Sequence, residues 1–507
     1  MKSISRRSTR RSFSFVAASA VALPLLGLCL SPTARAALIY GGPTYDSATQ
    51  TGYQSMFARS VYGPASPVGG GAVAVGEAWK FGGPGVDLGW RRAVRWDTSG
   101  AAPIELGNLG VRSDGVALSS ALAVNAAGTA VGNAWRFDSG VDRGQRAVRW
   151  DPSGAVTELG HLGADSSDQT TTSAVAINAA GTAVGWTDKW AGFAYKGEHA
   201  LRWDASGTAA TELGNLGTDS SGNPASEAVA INTAGTAVGN SGKFDASGDG
   251  LGGRAVRWNA SGTTATELGN LGTEISGITT SSAVAINDSG TAVGFADKWN
   301  LNTDFGPRAV RWDASGTAAT ELGNLGTDSG GATNSSAIAI NAVGTAVGYA
   351  EKYVSGSDIG LRAVRWDASG TAATELGNLG TDGSGFTTSN AYAVNTAGIT
   401  VGYADLLGVV GNSHAVAWGP DGVAIDLNTL LPADSGWQLF EADGITDTNW
   451  VSGRGWFDPD GPGGQDGYGR QFLLNISSVV PEPSGLVLLS LAGALSLRRQ
   501  RGTPASF

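Results

Sequence analysis

The chain has 507 residues, 41% hydrophobic and only 15% charged, with 78 glycines and a formal net charge of −11. Residues 1–36 hold six basic side chains and no acid, so without them the charge goes from −11 to about −17, a field that repels nucleic acid and anionic lipid and excludes both as expected partners. The single cysteine, Cys29, lies in that same segment, which leaves the rest of the chain without disulfides or a thiol nucleophile.

Residues 1–36 read as a secretory signal. A basic start leads into an apolar run from Phe13 to Leu30, and Ala34-Arg35-Ala36 follows at the distance signal peptidase requires. Thr9-Arg10-Arg11-Ser12-Phe13 resembles a twin-arginine export motif, so both the general and the twin-arginine route stay open.

From residue 37 to 475 the chain repeats itself, an organisation that takes priority over any other reading. Ala283-Val-Ala-Ile286, Asn287-Asp-Ser-Gly290, Thr291-Ala-Val-Gly294, a variable stretch with Lys298-Trp299, Arg308-Ala-Val-Arg-Trp312, Asp313-Ala-Ser-Gly316 and Thr320-Glu-Leu-Gly323 make one unit. The tryptophan of the Arg-Trp pair returns every 52 to 55 residues, from Trp96 to Trp418. Each unit offers four short runs suited to strands, bounded by Gly, Asn, Asp and Ser, and no ten-residue stretch of the body has a helical apolar period. Asn or Asp first and Gly last predict tight hairpin turns after the first and third strands. The other two connections are expected to be longer, variable loops, so one face is uniform and the opposite face individual.

Four antiparallel strands every ~54 residues predict an all-β fold, a β-propeller of about eight blades with seven as the alternative. The last unit lacks a fourth strand, and Leu38-Ile-Tyr40 stands ready to fill that vacancy.

The order Ala-Ile-Asn-Ala-x-Gly-Thr-Ala-Val-Gly, Arg-Ala-Val-Arg-Trp and Glu-Leu-Gly-Asn-Leu-Gly resembles the extracellular HAF repeat family over roughly residues 50–475. His199-Ala-Leu201 and His414-Ala-Val416 come nearest its His-Ala-Phe signature. The resemblance implies an exported repeat protein and no catalytic residues.

Residues 476–507 form a third segment. Pro481-Glu482-Pro483 precedes an apolar run from Gly485 to Leu497 and the cluster Arg498, Arg499, Arg501. Thirteen apolar residues are short beside the roughly 20 of a full span. The order resembles the PEP-CTERM sorting signal, which implies a transient inner-membrane tether, processing by an exosortase, and delivery to the cell surface or extracellular matrix.

The candidate ligand platform is the aromatic five residues after each Ala-Val-Gly glycine: Phe81, Phe137, Trp190, Phe244, Trp299 and Tyr353. Such a ring suits stacking on the sugars of an exopolysaccharide, and the competing reading is packing between blades. A base precedes each aromatic and is expected to pair across blades. The repeated Arg (Arg311 and its copies) and Glu (Glu321 and its copies) read as structural anchors. The residues that break the repeat, His161, His199, His414 and Asn259, carry no expected metal or acid–base role. Asp458-Pro-Asp460-Gly461 and Asp245-Ala-Ser-Gly-Asp249-Gly250 resemble calcium loops only loosely, and no cofactor is expected. The expectation is a non-enzymatic binding or structural protein contacting exopolysaccharide or surface proteins, with a polysaccharide-active hydrolase or lyase on the same scaffold as the alternative.

Overall fold

A computed structural model describes the backbone of Leu38–Ile39, Tyr45–Asp46 and Thr51–Tyr62, and residues 72–479 apart from 84–85, 99–102, 410 and 459–466. The expected secretory signal with Ala34 and Ala36, and residues 480–507 of the expected sorting segment with Pro481, Glu482, Pro483, Arg498, Arg499 and Arg501, lie outside these residues. Among the described residues no helix is long and apolar enough to cross a membrane.

The fifth unit shows how the repeat folds. Ser281–Ile286, Ala292–Asn300, Thr303–Trp312 and Ala319–Glu321 form one antiparallel sheet in sequence order. After the first strand, Gly290 N–H donates to Asn287 O at 2.9 Å and Asn287 N–H to Thr291 O at 3.0 Å. The Asn287 side chain accepts from Thr291 N–H at 3.0 Å, and Gly290 sits at φ 86°, where only glycine is unstrained. A bulge between Ala283 and Ala285 then brings the Ser282 carbonyl against Gly294, where a Cβ would lie 2.0 Å from it. Close approach of the backbone is the reason Ala-Val-Gly ends in glycine.

Eight sheets form the propeller, seven of four strands and the first with Tyr45–Asp46 added beside Thr51–Tyr62, and the count of eight replaces the alternative of seven. The first strands are innermost and touch their neighbours all the way round, including Thr51–Tyr62 against Trp437–Ile445. The ring closes as the vacancy requires: Leu38 pairs with Leu474 and Ile39 with Leu473, completing the sheet of Trp437–Ile445, Trp450–Phe457 and Tyr468–Asn475. One short 3-10 helix, Leu427–Leu430, packs at the entry to this last blade.

The core lies between blades rather than within one. Val238, Ala255 and Leu268 of the fourth blade meet Ala283, Ala292, Ala296, Val310 and Trp312 of the fifth, and the same set recurs at the next junction. The small alanines let the sheets approach, and the tryptophan fills the widening outer wedge.

The structure corrects one connection. The variable segment between the second and third strands is not a loop: both strands run on as a hairpin, and in the fifth blade a two-residue turn links the paired Asn300 and Thr303. The connector from the fourth strand to the next blade carries its own turn, with Gly331 N–H on Asp328 O at 3.2 Å. Turns after the first and third strands therefore share one face, and hairpin tips and connectors share the other.

Candidate functional site

The repeated charged side chains are taken up by the scaffold. Lys298 Nζ lies 2.8 Å from Glu321, within its own blade and across the third strand. Lys80, Lys189, Lys243 and Lys352 do the same with Glu105, Glu212, Glu267 and Glu375, and Arg136 with Glu158. The expected pairing across blades is thus replaced by pairing inside each blade, because strands two and four flank strand three and the register puts the Lys and Glu side chains on the same face of the sheet. Glu321 also meets the buried Arg308, whose other nitrogens donate to the carbonyls of Phe305, Gly331 and Thr333.

The Arg next to the tryptophan has a different task. Arg311 donates to Asp367, Ala368 and Gly370 carbonyls at 3.0–3.1 Å, gripping the turn of the following blade. Trp312 reaches the other way, donating its indole N–H to Gly269 O of the preceding blade at 2.9 Å. Nearer the axis an asparagine chain runs round the ring: Asn287 donates to Asn341 O at 3.1 Å, Asn341 to Asn395 O at 2.8 Å, and Asn395 to Thr446 O of the last blade at 3.2 Å.

The repeat-breaking residues fit these same networks. His199 and His414 occupy the Arg308 position and keep its carboxylate, with 2.7 Å contacts to Glu212 and Asp426. His161 replaces the asparagine whose side chain accepts the N–H two residues on, and its ring nitrogen accepts from Gly163 at 3.2 Å as Asn324 does from Gly326. Asn259 contributes only a backbone carbonyl to Arg202. Asp245 spends its carboxylate on the N–H groups of Ser247 and Asp249. Among the described residues no group of three His, Cys, Asp or Glu is placed to hold a metal; residues 459–466 of the other acidic stretch lie outside them.

The platform aromatics stand next to the turns at the tips of the hairpins, on the connector face. Trp299 N–H donates to Leu271 O at 3.4 Å and Tyr353 N–H to Leu325 O at 3.3 Å, so each is held by the incoming connector. Phe137 is buried, whereas Phe81, Trp190, Phe244, Trp299 and Tyr353 are half-buried. Trp190 meets Tyr195 edge-on at 5.5 Å, and Phe81 stacks on Trp79 at 5.5 Å. Tyr353 donates to Glu351 at 3.1 Å, and its phenol is pushed up to about 12 by burial and by that carboxylate.

A layer that the sequence reading passed over lies where the first strand begins. The residue directly after Ala-Val-Gly differs from blade to blade: Asn133, Trp186, Asn240, Phe295, Tyr349 and Tyr403. Each pairs with the second residue of the innermost strand, as Phe295 with Ser282 and Tyr403 with Asn390. Stacking the eight copies in register and looking for the column that changes would have found it.

Between the third and fourth blades this layer adjoins three acids. Asp188 and Glu198 are opposite each other on neighbouring strands, and Glu227 comes from the next blade. Burial, then Glu227 and Asp188, raise the Glu198 carboxyl from about 4.5 to about 7, and burial also raises Asp188 and Glu227. The folded chain therefore holds this proton more tightly than the unfolded chain does. Stability is unaffected below the ordinary pKa and falls as pH rises through about 4.5 to 7. Glu198→Gln is expected to stabilise by about 1–3 kcal/mol near pH 8, a gain that vanishes near pH 4; thermal melts at the two pH values check it, and an equal gain at both contradicts it.

A family model described as "Protein of unknown function (DUF3466)" matches residues 259–482. No curated protein matches the chain. Among solved structures, the β-propeller domain of the Trilobed protease from Pyrococcus furiosus is 9% identical, covering 73% of this chain and 96% of that one at a TM-score of 0.37. The GH74 xyloglucanase from Xanthomonas campestris is 10% identical, with 86% and 70% covered and a TM-score of 0.37. A protein of unknown function from Dyadobacter fermentans is 10% identical, with 87% and 100% covered and a TM-score of 0.30. These distant likenesses carry no chemistry over to this chain.

Proposed function

We propose that this is an exported β-propeller of the HAF-repeat type, carried to the cell surface or extracellular matrix by its leader and a PEP-CTERM-like tail. There it acts as a non-enzymatic binding protein for exopolysaccharide. Signal peptidase and an exosortase are its processing partners in this reading. The observation that carries it is the division of labour between side chains: the repeated Arg, Lys, Glu and His residues are occupied in clamps within and between blades, whereas variation gathers on the face of hairpins and connectors. A catalytic centre on a symmetric scaffold needs a unique constellation of groups free to react, and the clamped residues are not free.

The test is binding of residues 37–479, which hold the whole closed ring, to the producing organism's own exopolysaccharide. Saturable binding is expected, and the Trp190→Ala, Trp299→Ala double variant is expected to bind at least tenfold more weakly, since stacking on an aromatic contributes on the order of 1 kcal/mol or more per ring. Release of reducing ends or unsaturated sugars during the incubation would instead establish the hydrolase or lyase.

A further inference from the structure

The layer after Ala-Val-Gly leads beyond the hairpin aromatics. Its partners belong to the innermost strands, and it sits at the end of those strands where the connectors arrive, which places it around the connector-side end of the propeller's axis. Gly294 and Ala296 on either side of Phe295 are buried while Phe295 is half-exposed, and the same holds for Tyr349 and Tyr403. The rim joins aromatic rings to polar groups: Tyr392 lies 5.8 Å from Tyr403 and hydrogen-bonds Glu441, which pairs with Arg454 in the last blade. Asn133 donates to Ser173 of the next blade at 3.2 Å.

Three polar groups of the same layer are left over. Asn133 (7% exposed), Asn390 (8%) and Ser120 (2%) each carry a side-chain oxygen, Oδ1 or Oγ, that no protein donor satisfies. Buried acceptors without donors are costly and recur at places where a bound group supplies the hydrogen. Aromatic faces beside amides and a charge pair are the combination that recognises a pyranose, whose C–H face stacks on a ring while its hydroxyls exchange hydrogen bonds around the edge.

We propose that this connector-side end of the axis is a saccharide-binding site, with Trp186, Phe295, Tyr349 and Tyr403 as ring contacts and Asn133 and Asn390 as hydroxyl partners. The proposal rests on the exopolysaccharide reading above and names the place on the variable face where the sugar is held.

Calorimetric titration of residues 37–479 with oligosaccharides released from the organism's exopolysaccharide by mild acid tests it. The Phe295→Ala, Tyr349→Ala double variant is expected to lose at least tenfold in affinity. Asn390→Leu, which removes the acceptor with little change of volume, is expected to lose severalfold, with both melts within a few degrees of wild type. If the double variant melts early, the single variants Tyr403→Leu and Asn390→Leu carry the test. Affinity unchanged in folded rim variants but lost in Trp190→Ala, Trp299→Ala overturns this site and leaves the exopolysaccharide reading standing. No binding by the wild type, or capture of a surface protein in place of sugar, overturns both.

Discussion

Replacing Arg308 by alanine is expected to destabilise the ring by about 3–5 kcal/mol, the range found when one partner of a buried ion pair is removed. The guanidinium joins Glu321 to three connector carbonyls. Burial works against its charge and Glu321 offsets that penalty. Alanine leaves the carbonyls without their donor and Glu321 with Lys298 alone. The protein contains its own control, since His199 and His414 perform a reduced version of the task at the same position. Arg308→His is therefore expected to cost less than half as much. Urea unfolding followed by far-ultraviolet circular dichroism measures both, and equal losses for Ala and His would show that the clamp contributes little.

Trp312→Ala is expected to cost a similar amount, about 3–5 kcal/mol, because a fully buried indole leaves a cavity that rigid sheets on both sides cannot close. Trp312→Phe separates volume from hydrogen bonding. Phenylalanine keeps most of the apolar contact but drops the bond to Gly269 O, so a smaller loss of about 1–2 kcal/mol is expected. A phenylalanine variant as unstable as the alanine one would assign the effect to the bond rather than the wedge. Both substitutions act at a blade junction, so the loss should appear as a lower midpoint for the whole ring and not as fraying of one blade.

The scaffold was readable in the chain because its determinants are local and repeated. Asn287 with Gly290 specifies a turn whatever surrounds it, and Leu38-Ile39 fills a place that the short last unit leaves open. The clamps were less readable for a physical reason: Arg308 and Arg311 bind backbone carbonyls, which leave no mark on the residue types that provide them. The strand extension through Lys298-Trp299-Asn300 was hidden by composition, since polar residues and a two-residue turn look like loop until the register is known. The partner of each lysine followed from that same register. The rim was in plain view as a changing column, but its meaning depends on knowing that the first strand is the inner one.

Both ends of the ring leave from one place. The closing strand begins at Leu38 beside Leu474, and past the last strand Ile476 N–H donates to Asn449 O, in the turn after the last blade's first strand. That turn belongs to the uniform face. A protein held by its C-terminal tail would consequently stand on the uniform face like a cup on its base, with the aromatic rim turned away from the anchoring surface. The regular side would serve as a spacer, and the varied aromatic and amide side chains of the rim would be presented upward, where a passing polymer meets them first.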